Sequence, residues 1–322
     1  MNRAWTPAAL EMEAAVRAAL ADLGGVDLAR AAESAPAVRT ERLRPVLASL
    51  GVLELDAFGG EDEAGAAVLA VRACGAAVAP WPVARALTVP PEAREAADAL
   101  YLTDGAVSRL EHADLFHRAL AADLGDTLRD DGPAHPVRAA GGPSAAPLDP
   151  FGVPVEVAAA DGPPAPGRGV LMSLVLDAFW VAGALATILR QTSQYATTRQ
   201  QFGRPIAQFG EIRWRLADMA VAADGLDELA AYTWFLVHRG RAMRADALAL
   251  RVGMQETAGV VLKNGHQVFA AIGLCEEHDL AVIDRHLTPV LLRPAGPGRT
   301  AELLLEAVNR EGFDAIFPVS SR

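Results

Sequence analysis

The sequence predicts a mainly α-helical protein built from three successive parts: a helical domain over residues 1–95, a small β-rich domain over 96–170 and a four-helix bundle over 171–322. Three observations favour this order. Apolar residues recur with helical periodicity at both ends of the chain. Short β-type runs separated by Gly and Pro fill the middle. The helical stretches in the C-terminal part are much longer than those in the N-terminal part.

Composition narrows the classes of function. The chain has 322 residues, 52% of them hydrophobic, and a net charge of -11. The negative charge argues against nucleic-acid binding, so an anion site would need a local cluster of arginines. Cys74 and Cys275 show neither metal-ligand spacing nor a disulfide framework, which favours the cytoplasm and no metal site. Because no uninterrupted apolar run reaches roughly 18 residues, we also expect no membrane span.

Start and stop signals define the N-terminal helices. The first begins at Thr6-Pro7 and ends near Gly24, and the second is closed by Gly51. A third follows "GGEDEAG", whose acidic residues suit the positive end of a helix, and it ends before Pro80. The residues up to about 95 are therefore predicted to be helical.

The middle of the chain has a different character. The segments "ALYLTDG" (99–105) and "GVPVEVAAADG" (152–162) are predicted to be short strands. Between them, residues 130–152 are dense in Gly and Pro and are predicted to form turns and loops.

Helical periodicity returns from residue 171. One apolar face runs up to Arg199, a second begins at Ile212, and a third covers 242–272. Together with a shorter helix at "EEHDLAVIDRHL", these predict a four-helix bundle, and "RTAELLLEAVNR" predicts a fifth helix. The segment "LAAYTWFLVH" carries more apolar surface than one bundle core needs, so we expect it to form an oligomer interface.

The stretch "TTRQQFGRPIAQFGEIRWRLADM" (197–219) joins two of these helices. A helix end, a polar loop and a new start at Pro205 explain Gly203 and Pro205 without any ligand. This explanation does not account for the proximity of Arg199 and Arg204. It also does not account for Phe202, an aromatic residue in a loop that offers little hydrophobic core for its side chain. Two guanidinium groups beside an aromatic ring suit a pyrophosphate and an adenine.

The residues "QYATTRQQFGRPIAQFGEIRWRLADM" closely resemble the signature of the acyl-CoA dehydrogenase family. The order of helical domain, β domain and four-helix bundle agrees with the family fold, so the resemblance implies an acyl-CoA dehydrogenase-like architecture. It also implies the family's activity. That activity is α,β-desaturation of an acyl-CoA thioester, with hydride transfer to FAD and with an electron-accepting flavoprotein as a further partner.

The resemblance implies roles for the residues of the corner. Arg199 is expected to reach the FAD pyrophosphate of a neighbouring subunit, with Arg204 as a second donor. Phe202 is expected beside the adenine or ribose, with Gln201 nearby. These are cofactor contacts that the family makes across a subunit interface.

A second segment, "GHQVFAAIGLCEEHDL" (265–280), is similar to the family's Gln-x-x-Gly-Gly-x-Gly-Phe sequence. This implies that Gln267 and Gly273 approach the FAD diphosphate and that the next helix offers its N-terminal amides. The family's Gly-Gly pair is Ala270-Ala271 here, and two Cβ atoms in that position predict weaker FAD binding.

The family's catalytic base is missing from both of its usual positions. The segment "RHLTPVLLRPAGPG" contains no acid, and the second position falls at about Ser173, one turn before Asp177. A base for this chemistry needs a carboxylate in a dry site that raises its pKa. The candidates are weak, because acids on helices are usually solvated: Asp177, Asp246, Glu256, Glu277 and Asp279.

The middle domain also lacks the family's Thr-Glu-Pro-x-x-Gly-Ser and Trp-Ile-Thr segments, which embrace the flavin ring. The chain therefore resembles the short subunits of heteromeric actinobacterial acyl-CoA dehydrogenases for steroid or bulky acyl groups, which pair with a full-length subunit. Two alternatives stay open. One is a self-sufficient homo-oligomeric flavoenzyme with an atypical or absent base, and the other is a non-catalytic scaffold subunit.

Overall fold

A computed structural model of the chain describes residues 5–129, 132–143, 148–158 and 165–312. Helices dominate these residues, and one small five-stranded sheet lies between an N-terminal and a C-terminal group of helices. The predicted mainly α fold class is confirmed.

The N-terminal part is helical, as predicted. Its helices are α1 (Pro7–Asp22), α2 (Val26–Ser34), α3 (Arg44–Ser49), α4 (Glu61–Ala76) and α5 (Val83–Leu87), with one turn of π-helix at Arg39–Leu43. Thr6 caps α1, because its side-chain oxygen accepts a hydrogen bond from the Ala9 amide at 3.4 Å. The acidic residues predicted at the start of a helix form the first turn of α4.

The middle part forms one sheet. Its elements are β1 (Ala99–Thr103), β2 (Arg109–Glu111), β3 (Ala119–Asp123), α6 (Leu124–Arg129), β4 (Ala134–Ala139) and β5 (Gly152–Val157), and the strand order is β1-β3-β4-β5-β2. β1 and β3 are parallel, and the other pairs are antiparallel. The two predicted strands are present as β1 and β5, although residues 159–162 of the second lie outside the described residues.

One prediction for this part is wrong. Residues 130–152 are rich in Gly and Pro, yet β4 lies within them and pairs with β3 on one side and β5 on the other. Ala134 and Val137 are buried there. Pairing on both sides and burial outweigh the local turn preference, which is why strand preference depends so strongly on tertiary context.

The C-terminal part begins with the longest helix, α7 (Gly167–Thr198). A short hairpin of β6 (Gln200–Gln201) and β7 (Arg204–Pro205) follows, then α8 (Gly210–His238), α9 (Arg244–Phe269), α10 (Asp279–Leu292) and α11 (Pro297–Glu311). α7, α8 and α9 pack on one another, α10 packs on α7 and α9, and α11 packs on α9. The predicted helix at 242–272 stops at Phe269, where a 3₁₀ turn (Ala270–Leu274) begins.

The hydrophobic core crosses the predicted domain boundaries, and the three-domain division itself stays a prediction. A single cluster of buried residues joins α1 and α4 to α7, α8, α9 and α10. Trp5 contributes to it, with ring centroids 5.8 Å from Phe179 and 4.8 Å from Trp234. The segment "LAAYTWFLVH" was expected at an oligomer interface. Trp234 and its buried neighbours in this segment are covered within the chain itself, and the interface stays a prediction.

α7 is long and apolar enough to cross a membrane by length and composition alone, but 83% of its most apolar window is buried inside the protein. It contacts α4, α8, α9, α10 and β1. Burial among these elements accounts for its hydrophobicity as that of a core helix.

Two glycines allow α4 and α7 to approach closely. A Cβ atom at Gly183 would lie 2.0 Å from the Arg72 carbonyl oxygen of α4, and one at Gly75 would lie 1.9 Å from the Trp180 carbonyl oxygen of α7. Each glycine thus faces the backbone of the other helix, which cannot move aside as a flexible side chain could.

We expect Gly183→Ala to lower the free energy of unfolding by about 3 kcal/mol or more, because the added methyl group forces α4 and α7 apart. Gly225→Ala in α8 is the matched control, since no atom lies within 4 Å of its added Cβ. It should instead raise stability by about 0.5–1 kcal/mol through helix propensity. Urea denaturation followed by circular dichroism measures both, and equal midpoints would contradict the packing explanation.

Candidate functional site

The corner between α7 and α8 is a tight hairpin turn. The Arg199 carbonyl oxygen accepts a hydrogen bond from the Ile206 amide at 2.8 Å, which closes the hairpin behind it. Phe202 and Gly203 have φ values of 53° and 77°, the left-handed pair of a two-residue hairpin turn. A phenylalanine rarely adopts positive φ, and here the side chain is also 92% exposed. An aromatic ring held in solvent on a strained turn is a typical feature of a ligand site.

Two guanidinium groups accompany this ring. Arg204 lies over Phe209 at 4.3 Å from the ring centroid, and Phe202 meets the same ring edge-on at 6.1 Å. Arg199 and Arg204 are exposed, and neither forms an ion pair with any described residue. In an acidic chain, two cations that are not neutralised by neighbouring carboxylates are available to bind an anion.

The second predicted cofactor segment lies at the same end of the bundle. Val268 of α9 packs against Ala196 and Ile206 beside the corner. Phe269 contacts Tyr195 of α7, with ring centroids 4.8 Å apart. Gln267, which immediately precedes Val268, is exposed. The structure therefore brings together the two segments that the sequence assigned to one cofactor.

The turn after α9 has a backbone conformation that is typical of glycine, although its first residue is Ala270. Ala270 has φ 53° and ψ -140°, a conformation that glycine adopts readily and alanine rarely. Gly273 is buried, and a Cβ there would lie 2.9 Å from the Phe269 Cβ. Internal packing thus accounts for Gly273, and its contact with a diphosphate stays a prediction.

The start of α10 is already occupied. The Leu280 amide donates to His278 Nδ1 at 3.1 Å, which caps the helix. Asp279 in the first turn accepts hydrogen bonds from Arg30 and Gln191, both at 2.8 Å. Because a side-chain cap and a carboxylate sit at this helix end, it is less suited to a diphosphate than the sequence implied.

A separate pocket lies where α5, α7, α10 and the sheet meet, with a cavity volume of about 80 Å³. Its lining combines apolar and aromatic side chains with a group of titratable ones. The apolar lining includes Trp81, Val83, Phe151, Trp180 and Val290, and the titratable lining consists of Arg85, Glu111, His112, Asp149, Asp177 and His286.

Arg85 organises the floor of the pocket. It donates hydrogen bonds to Ser173 Oγ at 2.7 Å, to Glu111 Oε1 at 3.0 Å and to Asp177 Oδ1. Arg85, Ser173 and Asp177 are all buried. The second oxygen of Asp177, Oδ2, is buried and has no hydrogen-bond partner among the described residues.

Burial and charge give the two carboxylates opposite properties. Burial raises the pKa of Asp177, although Arg85 partly offsets this effect. Burial also opposes ionisation of Glu111, but Arg85 and Arg293 outweigh it and lower the pKa of that carboxyl. A pair of neighbouring carboxylates with pKa values pushed apart is the pattern found in acid–base catalysis.

The other acids proposed from the sequence lie elsewhere. Asp246 Oδ2 accepts a hydrogen bond from the Met243 amide at 2.7 Å and caps α9, and burial raises its pKa. Glu256 and Glu277 are exposed, and Asp279 pairs with Arg30. Of the five candidates, only Asp177 lines the pocket.

Sequence reasoning missed Arg85 and Glu111. One signal was available, because Arg85 is the only charged residue between Arg72 and Glu92. An arginine alone in so apolar a stretch is seldom buried without a charged partner, so it indicated an internal carboxylate. The identity of that carboxylate was not readable, since Asp177 lies 92 residues further along the chain.

We expect Ala270→Gly to raise the free energy of unfolding by about 1 kcal/mol, because glycine relieves the positive φ at this turn. Ala271→Gly is the matched control. Residue 271 has no positive φ, so the same change there should lower stability by about 0.5–1 kcal/mol. Thermal unfolding of the two variants measures the difference, and equal losses of stability in both would contradict strain at Ala270.

Comparison with known proteins identifies the C-terminal part. Residues 175–311 match the family described as acyl-CoA dehydrogenase, C-terminal domain. Benzylmalonyl-CoA dehydrogenase of Aromatoleum aromaticum is 27% identical over 150 residues, which are 45% of this chain and 39% of that protein. The matched region is therefore less than two thirds of this relative's length.

Solved structures resemble the chain over nearly its whole length. A steroid acyl-CoA dehydrogenase, the Tcur3481-Tcur3483 G363A variant, has a TM-score of 0.77 at 16% identity, covering 94% of this chain and 98% of that one. The ChsE4-ChsE5 complex of Mycobacterium tuberculosis has a TM-score of 0.76 at 17% identity, covering 97% and 99%. The FAD complex of PigA has a TM-score of 0.73 at 14% identity, covering 97% and 100%.

At these identities the structures show the fold and no more. Together with the family match over α7 to α11, they agree with the signature at the corner and with the order of helices, sheet and bundle. Residues 175–311 thus match the acyl-CoA dehydrogenase C-terminal domain, and the fold of the chain resembles that of acyl-CoA dehydrogenases of known structure.

Proposed function

We propose that this chain is a subunit of an FAD-dependent acyl-CoA dehydrogenase and that its corner binds the pyrophosphate and adenosine part of an FAD shared with another subunit. The reaction is α,β-desaturation of an acyl-CoA thioester. The observation that carries the proposal is the corner itself. Two exposed guanidinium groups without carboxylate partners among the described residues flank a phenyl ring held in solvent by a strained turn.

The residues present fit the cofactor. The guanidinium groups of Arg199 and Arg204 suit pyrophosphate oxygens, and the Phe202 ring offers a flat face to adenine or ribose. Gln267 and Gln201 are exposed at the same end of the bundle and can donate amide hydrogen bonds. FAD, when bound, would supply the acceptor for the hydride that leaves the β carbon.

The length of α7 supports a flavin shared between subunits. Asp177 and Thr198 are 21 residues apart on one helix, which places the pocket and the corner about 32 Å apart. In FAD only a five-carbon ribityl chain joins the pyrophosphate to the ring, and it reaches much less than that distance. A flavin gripped by this corner therefore cannot present its ring to this pocket, so the ring would lie against another polypeptide.

The surface around the corner suits such a partner. Trp214 and Val221 on α8 are 72% and 74% exposed, and Leu274 after α9 is 71% exposed. Exposed large apolar side chains are typical of a subunit interface. We infer that the partner is a full-length acyl-CoA dehydrogenase subunit. The likeness to a steroid acyl-CoA dehydrogenase and to the ChsE4-ChsE5 complex supports this partner, and steroid or other bulky acyl-CoA catabolism as its setting.

Two observations favour other functions strongly enough to be tested. The buried Asp177 favours a self-sufficient homo-oligomer with an atypical base. The strained Ala270 and the capped N-terminus of α10 favour a scaffold subunit that has lost its diphosphate contacts. The shared-flavin enzyme and the self-sufficient homo-oligomer would each need an electron-accepting flavoprotein. The scaffold subunit itself would not.

We expect Arg199→Met to weaken FAD binding by about 10- to 100-fold, because a charge-assisted contact to phosphate contributes about 1.5–3 kcal/mol. Arg241→Met, an exposed arginine at the opposite end of α8, should leave it unchanged. The measurement is the ratio of flavin absorbance to protein absorbance after gel filtration of the chain co-expressed with its genomic neighbour.

The same preparation separates the alternatives. A colourless chain that becomes yellow only with a larger homologue supports the shared flavin. A chain that is yellow alone as a homo-oligomer supports the self-sufficient enzyme. A complex that keeps its flavin and full activity after Arg199→Met supports the scaffold and contradicts the proposed role of the corner.

A further inference from the structure

We infer that this chain recognises only the adenosine diphosphate part of FAD and that the partner subunit recognises the flavin ring; this inference rests on the proposed function. It has a direct consequence for the chain before assembly. Without its partner, the chain binds ADP as tightly as FAD, so that nucleotides containing ADP compete with the cofactor for the corner.

The corner is a cationic region in an acidic chain. Residues 178–210 contain three arginines and no acid. The next acid, Glu211, already pairs with Arg215, with a nitrogen–oxygen distance of 2.6 Å. Arg199 and Arg204 are exposed and have no carboxylate partner among the described residues. A pyrophosphate suits this pair of guanidinium groups, because each can donate two parallel hydrogen bonds to phosphate oxygens.

The spacing of the corner suits the adenosine end of FAD rather than the flavin end. Phe202 is three residues from Arg199 and two from Arg204, and the hairpin keeps these residues close along the backbone. In FAD one ribose separates adenine from the pyrophosphate, whereas the longer ribityl chain separates the flavin ring from it. The exposed Phe202 ring offers a stacking face to a base and no hydrogen-bonding group. The compact adenosine diphosphate unit therefore matches the hairpin.

The segment after α9 adds little for a phosphate. Ala270 and Ala271 carry Cβ atoms where glycine would leave the backbone open, and His278 caps the N-terminus of α10. Ile272 and Leu274 are 47% and 71% exposed, and their side chains offer no hydrogen-bond donor. The contacts of this chain with the cofactor thus come mainly from the hairpin.

The pocket between α5, α7 and α10 cannot hold the flavin ring. It lies about 32 Å from the corner along α7. Its cavity volume of about 80 Å³ is smaller than the roughly 150 Å³ that accommodates benzene in a protein core. The three fused rings of a flavin are larger than benzene, so the ring lies outside this pocket.

A groove of about 420 Å³ between α7 and α8 is closer to the corner, because Ser193 and Leu216 contribute to its lining. The rest of its polar lining consists of Arg190, Asp224 and Asp227. The flavin ring presents two carbonyl oxygens, which require hydrogen-bond donors, and ionised carboxylates supply none. This groove is therefore poorly matched to the ring, which leaves the ring to the partner.

Recognition shared in this way makes cofactor choice depend on assembly. ADP is also part of NAD and CoA, and the acyl-CoA substrate carries it with an additional 3′-phosphate. The unassembled chain accepts the ADP unit of any of these compounds, since the corner contacts nothing beyond that unit. Contacts between the partner and the flavin ring then raise the affinity for FAD and not for ADP, which couples assembly to cofactor choice.

The test is isothermal titration calorimetry of the full chain, purified alone, with ADP, FAD and FMN. We expect the dissociation constants of ADP and FAD to agree within about threefold, because the flavin ring adds no contact. FMN carries the ring but lacks adenosine and one phosphate, so it should bind at least about 10-fold more weakly than ADP. In the flavin-depleted complex with the larger subunit, FAD should bind about 100-fold more tightly than ADP.

Two variants locate the nucleotide on the chain. Arg199→Met should weaken ADP and FAD binding to the chain alone equally, by about 10- to 100-fold. Arg241→Met, at an exposed arginine beyond the opposite end of α8, should leave both affinities unchanged. ADP binding that is unaffected by Arg199→Met overturns the inference, because the nucleotide then lies elsewhere.

The complex serves for the test if the chain is insoluble on its own. A large excess of ADP should slow the uptake of FAD by the flavin-depleted complex, followed by visible absorbance, because both nucleotides require the corner. Equal rates of uptake with and without ADP overturn the inference.

Three results separate this inference from the proposed function. If FAD binds the chain alone at least about 10-fold more tightly than ADP, the chain contacts the ring itself, and the inference is overturned while the role of the corner stands. If the soluble chain binds neither nucleotide while the complex holds FAD through Arg199, the inference is overturned and the proposed function stands. ADP binding at the corner of a chain whose complexes never contain flavin supports the nucleotide site and contradicts the proposed function.

Discussion

The structure depends on the burial of one long helix. α7 packs against α4 at backbone distance through Gly75 and Gly183, and against α8, α9 and α10 on its other sides. Because it is held along most of its length, it fixes two distant features in one frame. Ser173 and Asp177 lie in the buried half of the helix, and Arg199 follows its last residue. The separation of pocket and corner is thus a consequence of helix geometry rather than of loop conformation.

The buried charge cluster is the other feature that the fold must accommodate. Arg85 on the short helix α5 bridges a side chain of the sheet and two of the bundle, so it ties the three parts of the chain together at one point. Removing charges from water is costly, and the cluster repays this cost only because its hydrogen bonds are nearly complete. Among the described residues of the cluster, Asp177 Oδ2 is a buried oxygen that lacks a hydrogen-bond partner.

The corner shows how a locally unfavourable turn can be retained. Phe202 adopts a positive φ, and its side chain is 92% exposed, with the Phe209 ring edge-on at 6.1 Å. The Ile206 amide and the packing of Ile206 against Ala196 and Val268 hold the turn closed. Stability gained from that small cluster offsets the strain, and the result is an aromatic ring and two arginines presented to a neighbour.

The sequence by itself determined the fold class, the corner and the strands β1 and β5, because these rest on local periodicity, turn residues and a contiguous signature. Tertiary structure decided what depends on distant partners. β4 pairs with β3 and β5 on its two sides, and Trp234 packs against Trp5 from the other end of the chain. Likewise, Asp177 differs from four other weak candidates only because Arg85, 92 residues earlier, reaches it in a dry pocket. The order of residues in the chain does not reveal that Arg85 and Asp177 are close. Their proximity arises because α5 packs against α7.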